Sequence, residues 1–429
     1  MKSGAARAEW RWLWFSLSVS TAAVVLERTF GRMFVDSDVP YYLDIAKGDM
    51  AAVLQPYASR QLHPHLARWL AHLFHISFQS GFIVVQVISL IAVTAALGWL
   101  LSSLGADRWM LIAVGGTSFW AGMFNGAGLP DLWFSALLGM FLVLLYRRDW
   151  FAAAAMLLFM YVSRESAVLV LICLLIAGWR ELRLSGRIVA VSASAAGIMI
   201  VRSLIPPGTQ NKEELGTLAY MVGKVPWNFL KNVAGVAPWN NLNPGNCASP
   251  RWSTTVHFGA MHGVGLCSYN PVLPLTTLRL ALSSFGLFPL LLVYVWRRRN
   301  MRWGGESVLL RFCLIYGLIS FLLAPELGSS VVRLFSYAWP LFFVALPSLW
   351  TSSGIHPLRS TIAPLVGLHL AVSWSTALRV TALSQWFFDV CLILAICAVY
   401  VVGWVLLRRA SAEQLPEADT ASESSISGE

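Results

Sequence analysis

The stretch Phe151-Ala-Ala-Ala-Ala-Met-Leu-Leu-Phe-Met-Tyr-Val-Ser163-Arg164-Glu165-Ser166-Ala167-Val-Leu-Val-Leu-Ile-Cys-Leu-Leu-Ile-Ala-Gly-Trp179 decides how the chain is laid out. It reads either as one long apolar helix or as two short ones broken at Ser163–Ser166. Parity separates the two. As a single span, it puts Arg180, Arg183 and Arg187 across the membrane from Arg147 and Arg148, and sends Arg297–Arg299 and Arg408–Arg409 to that far side too. As two spans, it gathers all of these arginines on one face, as the positive-inside tendency requires. The split also sets Arg164 and Glu165 at the external end of a short helix pair.

The rest of the sequence agrees with a membrane class. It is 57% apolar and only 12% charged, and apolar runs bounded by arginines and Trp or Tyr recur along it. The further spans predicted are Trp12–Val25, Phe82–Leu104, Trp109–Asn125, Leu132–Tyr146, Ile188–Ile205, Leu275–Trp296, Val308–Leu323, Leu334–Trp350, Ile362–Ala377 and Phe387–Leu407. Lys2, Arg7 and Arg11 precede the first of them, which places the N-terminus inside. Trp10, Trp12 and Trp14 crowd that segment, and no small-x-small site ends it, so it reads as a span and not as a cleaved signal. The expected fold is therefore all-α: a polytopic membrane protein of about twelve transmembrane helices. Residues 1–410 form the membrane domain, with larger external loops at 27–80 and 206–274. Residues 411–429, acidic and serine-rich, form a disordered tail, and both termini are cytoplasmic.

The net charge of +10 is a topological signal, since the arginines cluster at span ends. A nucleic-acid partner is not expected. The cytoplasmic loops are all short, and no phosphate-cradling glycine loop follows a strand pattern, so no nucleotide-binding domain is present on that side. Of the six cysteines, Cys247 and Cys267 share the second external loop. In an oxidising compartment they would bridge; otherwise they remain two free thiols.

The candidate chemistry lies outside. Phe34-Val-Asp36-Ser-Asp38-Val-Pro-Tyr41-Tyr42-Leu-Asp44 follows the first span directly. In an extended segment Asp36 and Asp38 point the same way. Asp38 is also a candidate helix N-cap, because Pro40 suits an early helical position. Downstream, Tyr57-Ala-Ser-Arg60-Gln-Leu-His63-Pro64-His65 offers Arg60 for a phosphate or for the aspartates, while His63 and His65 read as interfacial. Asp131, Arg164, Glu165, Glu326 and Arg333 all fall at external span ends. Charges so near hydrocarbon are paired or functional, and Arg164 with Asp131 or Glu326 is one pairing open to them. A carboxylate base among arginines at the lipid boundary suits transfer from a lipid-linked phosphate donor.

This layout resembles the GT-C superfamily of integral-membrane glycosyltransferases, the polyprenyl-phosphate-sugar-dependent, mannosyltransferase-like enzymes among them. Asp36-Ser-Asp38 followed by Tyr41-Tyr42 is similar to the acidic motif of their first external loop. Arg60-x-Leu62-x-Pro64, Arg164-Glu165 and Arg333-x-Phe335-x-Tyr337-x-x-Pro340 are similar to later elements. The resemblance implies transfer of a hexosyl or pentosyl unit from a polyprenyl-phosphate donor to a hydroxyl of a glycan, lipid or protein acceptor on the external face. Asp36 would be the general base, with Asp38 orienting the acceptor. Tyr41 and Tyr42 would line the substrate site, and Arg333, Arg164 and Arg60 would contact the donor phosphate. A divalent cation, if the reaction uses one, would sit on Asp36 and Asp38. The chain departs from some branches in lacking a soluble C-terminal external domain. It also lacks the Trp-Trp-Asp-Tyr-Gly motif of oligosaccharyltransferases. Trp227, Trp239 and Trp252 in the second loop read as interfacial anchors that are also able to stack on sugars. Compact loops and the lack of an endoplasmic-reticulum retention signal point to a bacterial inner membrane.

The alternatives are a transporter or flippase of lipid-linked saccharides, a polysaccharide polymerase or ligase, and a non-enzymatic scaffold. A transporter would show charges near the midplane of broken helices in paired halves. A polymerase or ligase would carry its essential residues in loop 206–274, and a scaffold would not depend on Asp36.

Overall fold

The computed structural model describes residues 38–50, 53, 57–125, 128–206, 217–240, 247, 249–258, 261–299, 307–327, 331–353, 359–377 and 384–412. The predicted first span, Asp36 and most of the predicted C-terminal tail lie outside them. Two helices precede the membrane bundle: α1 (Val39–Lys47) and α2 (Leu62–Leu73). The bundle then runs through α3 (Phe78–Ser103), α4 (Arg108–Gly115), α5 (Ser118–Asn125), α6 (Asp131–Tyr146), α7 (Trp150–Ser163), α8 (Ala167–Ala177) and α9 (Leu184–Leu204). The loop 206–274 holds α10 (Thr217–Asn232) and strands β1 (Val236–Asn240), β2 (Trp252–Phe258) and β3 (Met261–Tyr269). There follow α11 (Val272–Ser283), α12 (Phe288–Arg299), α13 (Val308–Leu327), α14 (Val331–Phe335), α15 (Leu346–Ser352), α16 (Arg359–Trp374) and α17 (Gln385–Ala412).

Among the described residues five helical runs are long and apolar enough to cross a membrane, and the bent pair α11–α12 makes a sixth. Four shorter apolar helices, α6, α7, α8 and α16, complete the bundle. The chain is a polytopic helical membrane protein. Phe151–Trp179 divides as parity required, with α7 ending at Ser163 and α8 starting at Ala167.

Two predicted spans are not single helices. Trp109–Asn125 is interrupted between α4 and α5. Leu275–Trp296 bends by 63° between α11 and α12, at Ser283-Ser284-Phe285-Gly286, with Pro289 following; these are break signals that the single-span reading passed over. Gly286 takes φ +55° at the bend, where an added Cβ would meet His369 within 2.6 Å. His369 holds the corner. Its Nδ1 accepts the Leu287 N–H at 3.1 Å, which leaves Nε2 to donate to the Ala113 carbonyl at 3.0 Å. Within lipid, helices gain little from burying apolar surface against one another, so close contact matters more. Gly139 of α6 meets α3 this way, a Cβ there lying 3.2 Å from that of Ala96.

The loop 206–274 adds one small sheet to the predominantly helical fold. Its strands form a small antiparallel sheet in the order β1-β3-β2, with Trp252 opposite Leu266 and Thr254 opposite Val264. The β-branched run Thr254-Thr255-Val256 favours a strand, but its surrounding Gly, Asn and Pro residues read as loop. Cys247 and Cys267 form a disulfide, their Cα atoms 6.0 Å apart, and tie the β1–β2 connection to β3.

Candidate active site

The site begins with α1. Its N-cap residue, Asp38, has helical backbone angles and makes no side-chain capping bond. Its carboxylate is therefore engaged elsewhere and not in capping: Oδ1 accepts the Tyr57 hydroxyl at 2.8 Å, and Oδ2 accepts both Arg333 Nη atoms at 3.2 Å. Tyr42, Ile45 and Ala46 form the buried face of α1. Tyr41 stacks on Tyr57, centroids 4.7 Å apart and planes within 6°, while Tyr42 meets the same ring edge-on.

The loop before α2 brings Arg60 into the protein, where it is only 5% exposed. Its guanidinium takes Glu165 as a fork, Nε to Oε2 at 2.9 Å and Nη2 to Oε1 at 2.5 Å, and Nη1 donates to the Tyr42 hydroxyl at 2.7 Å. Arg60 thus pairs with the glutamate of the α7–α8 break and not with Asp38. The Gln61 N–H donates to the Val162 carbonyl at 3.0 Å, fixing that break against the start of α2.

Arg164 is the extended residue of the break, at φ −165° and ψ 139°. Leaving the helix turns its side chain to Asp131, the first residue of α6, and to Tyr337. Arg164 Nη1 pairs with Asp131 Oδ1, the Tyr337 hydroxyl donates to that same oxygen, and the guanidinium lies over the Tyr337 ring at 4.7 Å. The predicted Arg164–Asp131 pairing is thus present. Arg333, on α14, completes the group, its Nε 3.8 Å from Asp131 Oδ2.

Three guanidiniums and three carboxylates therefore meet at one end of the bundle, drawn from five separate segments. They are not equivalent. Arg60 and Arg164 are almost fully enclosed by their partners, whereas Arg333 keeps 17% of its side-chain surface and Asp38 14%. The Arg333–Asp38 bonds are also longer than the Arg60–Glu165 fork. Glu326 stands apart: its backbone carbonyl accepts from Asn228 at 3.1 Å, and its carboxylate makes no ion pair with a described residue.

Burial opposes the Glu165 charge, but Arg60 and its hydrogen bonds, with Arg164, outweigh it and hold the carboxyl at about 2. Burial pushes the Tyr42 hydroxyl to about 12 against the pull of Arg60, so it stays a neutral acceptor of the Arg60 bond. Because the folded Glu165 value is depressed, its stabilisation is complete above the ordinary glutamate value of about 4.3 and is lost as pH falls toward the folded value. The gap in Tm between the wild type and Glu165→Gln is therefore expected to narrow on acidification from about pH 6 to about pH 3. A gap of constant size, read by thermal unfolding in detergent, would contradict this.

His63 is not interfacial. It is fully buried, tilted on Phe82 at 5.1 Å, with neither ring nitrogen hydrogen-bonded, and burial lowers it to about 3, keeping it neutral. Tyr57 and Tyr337 are site residues that sequence reasoning did not single out, although both lie within motifs it quoted. The described residues do not form a cation site. Both Asp38 oxygens are held by donors, one of them a guanidinium, and no three His, Cys, Asp or Glu gather as ligands.

No protein-family model matches the chain, and no curated protein is significantly similar to it. Among solved structures, it is similar to the crystal structure of ArnT from Cupriavidus metallidurans bound to undecaprenyl phosphate. That likeness has a TM-score of 0.43 and 14% identity, and covers 95% of this chain and 73% of that one.

Proposed function

We propose that the chain is a membrane glycosyltransferase of the GT-C type, moving a hexosyl or pentosyl unit from a polyprenyl-phosphate donor to an acceptor hydroxyl at the external face of a bacterial inner membrane. The observation that carries this reading is the unequal state of the three arginines. Arg60 and Arg164 are locked by Glu165 and Asp131 and serve to build the site. Arg333 is held on its accessible edge by longer bonds to Asp38, and a phosphate is a better fork partner for it than a single carboxylate oxygen. The phosphate role is thereby narrowed from three arginines to Arg333.

In the proposed reaction the acceptor oxygen forms its bond to the anomeric carbon as the bond from that carbon to the phosphate oxygen breaks. The electron pair passes to the phosphate, where Arg333 neutralises the growing charge. The acceptor proton passes to a carboxylate, Asp36 by the first-loop reading. Tyr41 and Tyr57, stacked beside Asp38, present an aromatic wall to the sugar. No step is routed through a metal ion.

The test is transfer of radiolabelled sugar from a panel of polyprenyl-phosphate donors, in membranes supplying native acceptors, by wild type and Asp36→Asn. Transfer by the wild type that is lost in a folded variant is the expected result. Equal transfer by both removes Asp36 from the chemistry.

A further inference from the structure

Of the three guanidiniums in the cluster, Arg333 keeps the most accessible edge, and that edge is already occupied. Both Nη atoms converge on a single oxygen, Asp38 Oδ2, at 3.2 Å, while Nε turns toward Asp131 Oδ2 at 3.8 Å. A phosphate engages an arginine best through two parallel bonds. The Nε edge faces the buried Asp131, so the Nη pair is the one a phosphate would use. Those are the two donors that Asp38 holds. Carboxylate and phosphate therefore exclude each other at Arg333.

The surroundings make this a direct exchange. Arg60 is committed to Glu165 and Arg164 to Asp131, so neither takes over a displaced Asp38. Asp38 would keep the Tyr57 hydroxyl on Oδ1, at 2.8 Å. Neither backbone has to move. Asp38 leads into α1, whose Tyr42, Ile45 and Ala46 are fully buried. Arg333 lies on α14, where the Ser336 hydroxyl donates to its carbonyl and Phe335 packs on Phe321 with centroids 4.9 Å apart. Turning two part-exposed side chains is enough.

We infer that Asp38 is an internal competitor of phosphate: it holds Arg333 while no donor is bound and sets the threshold a ligand must exceed to reach it. This rests on the reading of Arg333 as the ligand of the donor phosphate. A resting state in which Arg333 is paired lowers the apparent affinity of every phosphate by the same factor, the fraction of molecules in which the pair is open. A lipid-linked phosphate makes up that loss through the apolar chain it buries. A soluble phosphate has no second source of binding energy. Asp38 thus determines specificity through occupancy, keeping soluble anions off Arg333 at concentrations where lipid-linked ones still bind.

The test is equilibrium binding of labelled polyprenyl phosphate to the full chain in nanodiscs, with inorganic phosphate titrated as the competitor and Tm confirming that each variant is folded. Asp38→Asn removes the charge and keeps an acceptor for the Tyr57 hydroxyl. It is expected to bind polyprenyl phosphate about three- to tenfold more tightly than wild type, and to lower the inhibition constant of inorganic phosphate by a similar factor. Asp38→Ala, the second removal, is expected to act in the same direction. Asp44→Asn is the control for net charge, since Asp44 lies on the same helix and pairs with Lys47; it is expected to leave both affinities unchanged. Binding by both Asp38 variants that is unchanged or weaker, or no gain for inorganic phosphate, overturns the inference. Equal tightening by Asp44→Asn also overturns it, the effect then being one of net charge. Failure of the underlying reading looks different: Arg333→Gln would bind polyprenyl phosphate as tightly as the wild type.

Discussion

Replacing Arg164 by alanine is expected to destabilise the protein by about 3–5 kcal/mol, the largest loss at any single position in the site. Arg164 and Asp131 are both nearly inaccessible, at 5% and 4% side-chain exposure. Removing the guanidinium leaves an ionised carboxylate buried at the end of α6 with one hydroxyl donor, Tyr337, and with Arg333 Nε at 3.8 Å, beyond hydrogen-bond reach. The cost lies in the abandoned charge more than in the lost attraction. The double variant Arg164→Leu with Asp131→Leu is therefore expected to recover most of the stability. Thermal unfolding of the three proteins in one detergent decides this; a double variant as unstable as Arg164→Ala would show that the pair itself, and not the orphaned carboxylate, carries the energy.

Arg333→Gln is expected to lower sugar transfer by about 10²–10³-fold, the range for removing one donor aimed at a developing oxyanion. Its effect on stability is expected to be small by comparison, since Asp38 retains the Tyr57 hydroxyl and contact with water. Arg333→Lys should fall between the two, keeping the charge and losing the planar fork. Steady-state transfer rates measured beside Tm separate this account from a purely structural one, in which activity would fall only in step with stability.

Much of this arrangement is legible in the chain. The spans show because apolar runs end at arginines, and the break at Ser163–Ser166 shows because an Arg-Glu pair cannot continue an apolar helix at low cost. Most of the site residues show for the same reason, as charges placed where hydrocarbon begins. Their pairing does not. Arg60 and Glu165 are 105 positions apart, and Asp38 and Arg333 are 295 apart, so which acid meets which base depends on helix packing that no local pattern encodes. The same limit explains Arg60 and Arg164, which look in sequence like phosphate ligands and turn out to be enclosed. It explains Glu326, whose carboxylate makes no ion pair with a described residue and which meets Asn228 only through its backbone carbonyl. The bend at Gly286 does carry a local signal, Ser283-Ser284 with Gly286 and Pro289, but its packing partner His369 is far along the chain and no local pattern names it. The sheet is hidden because its strands are set among Gly, Asn and Pro, and their pairing is stabilised by a disulfide whose formation sequence leaves open.

The central claim is that a donor phosphate takes Arg333 from Asp38. Binding of polyprenyl phosphate to purified wild type and Arg333→Gln, measured at equal Tm-verified foldedness, tests it most directly. The account predicts saturable binding by the wild type that is at least about tenfold weaker in the variant, a loss of about 1.4 kcal/mol. Equal binding by the two proteins would contradict it.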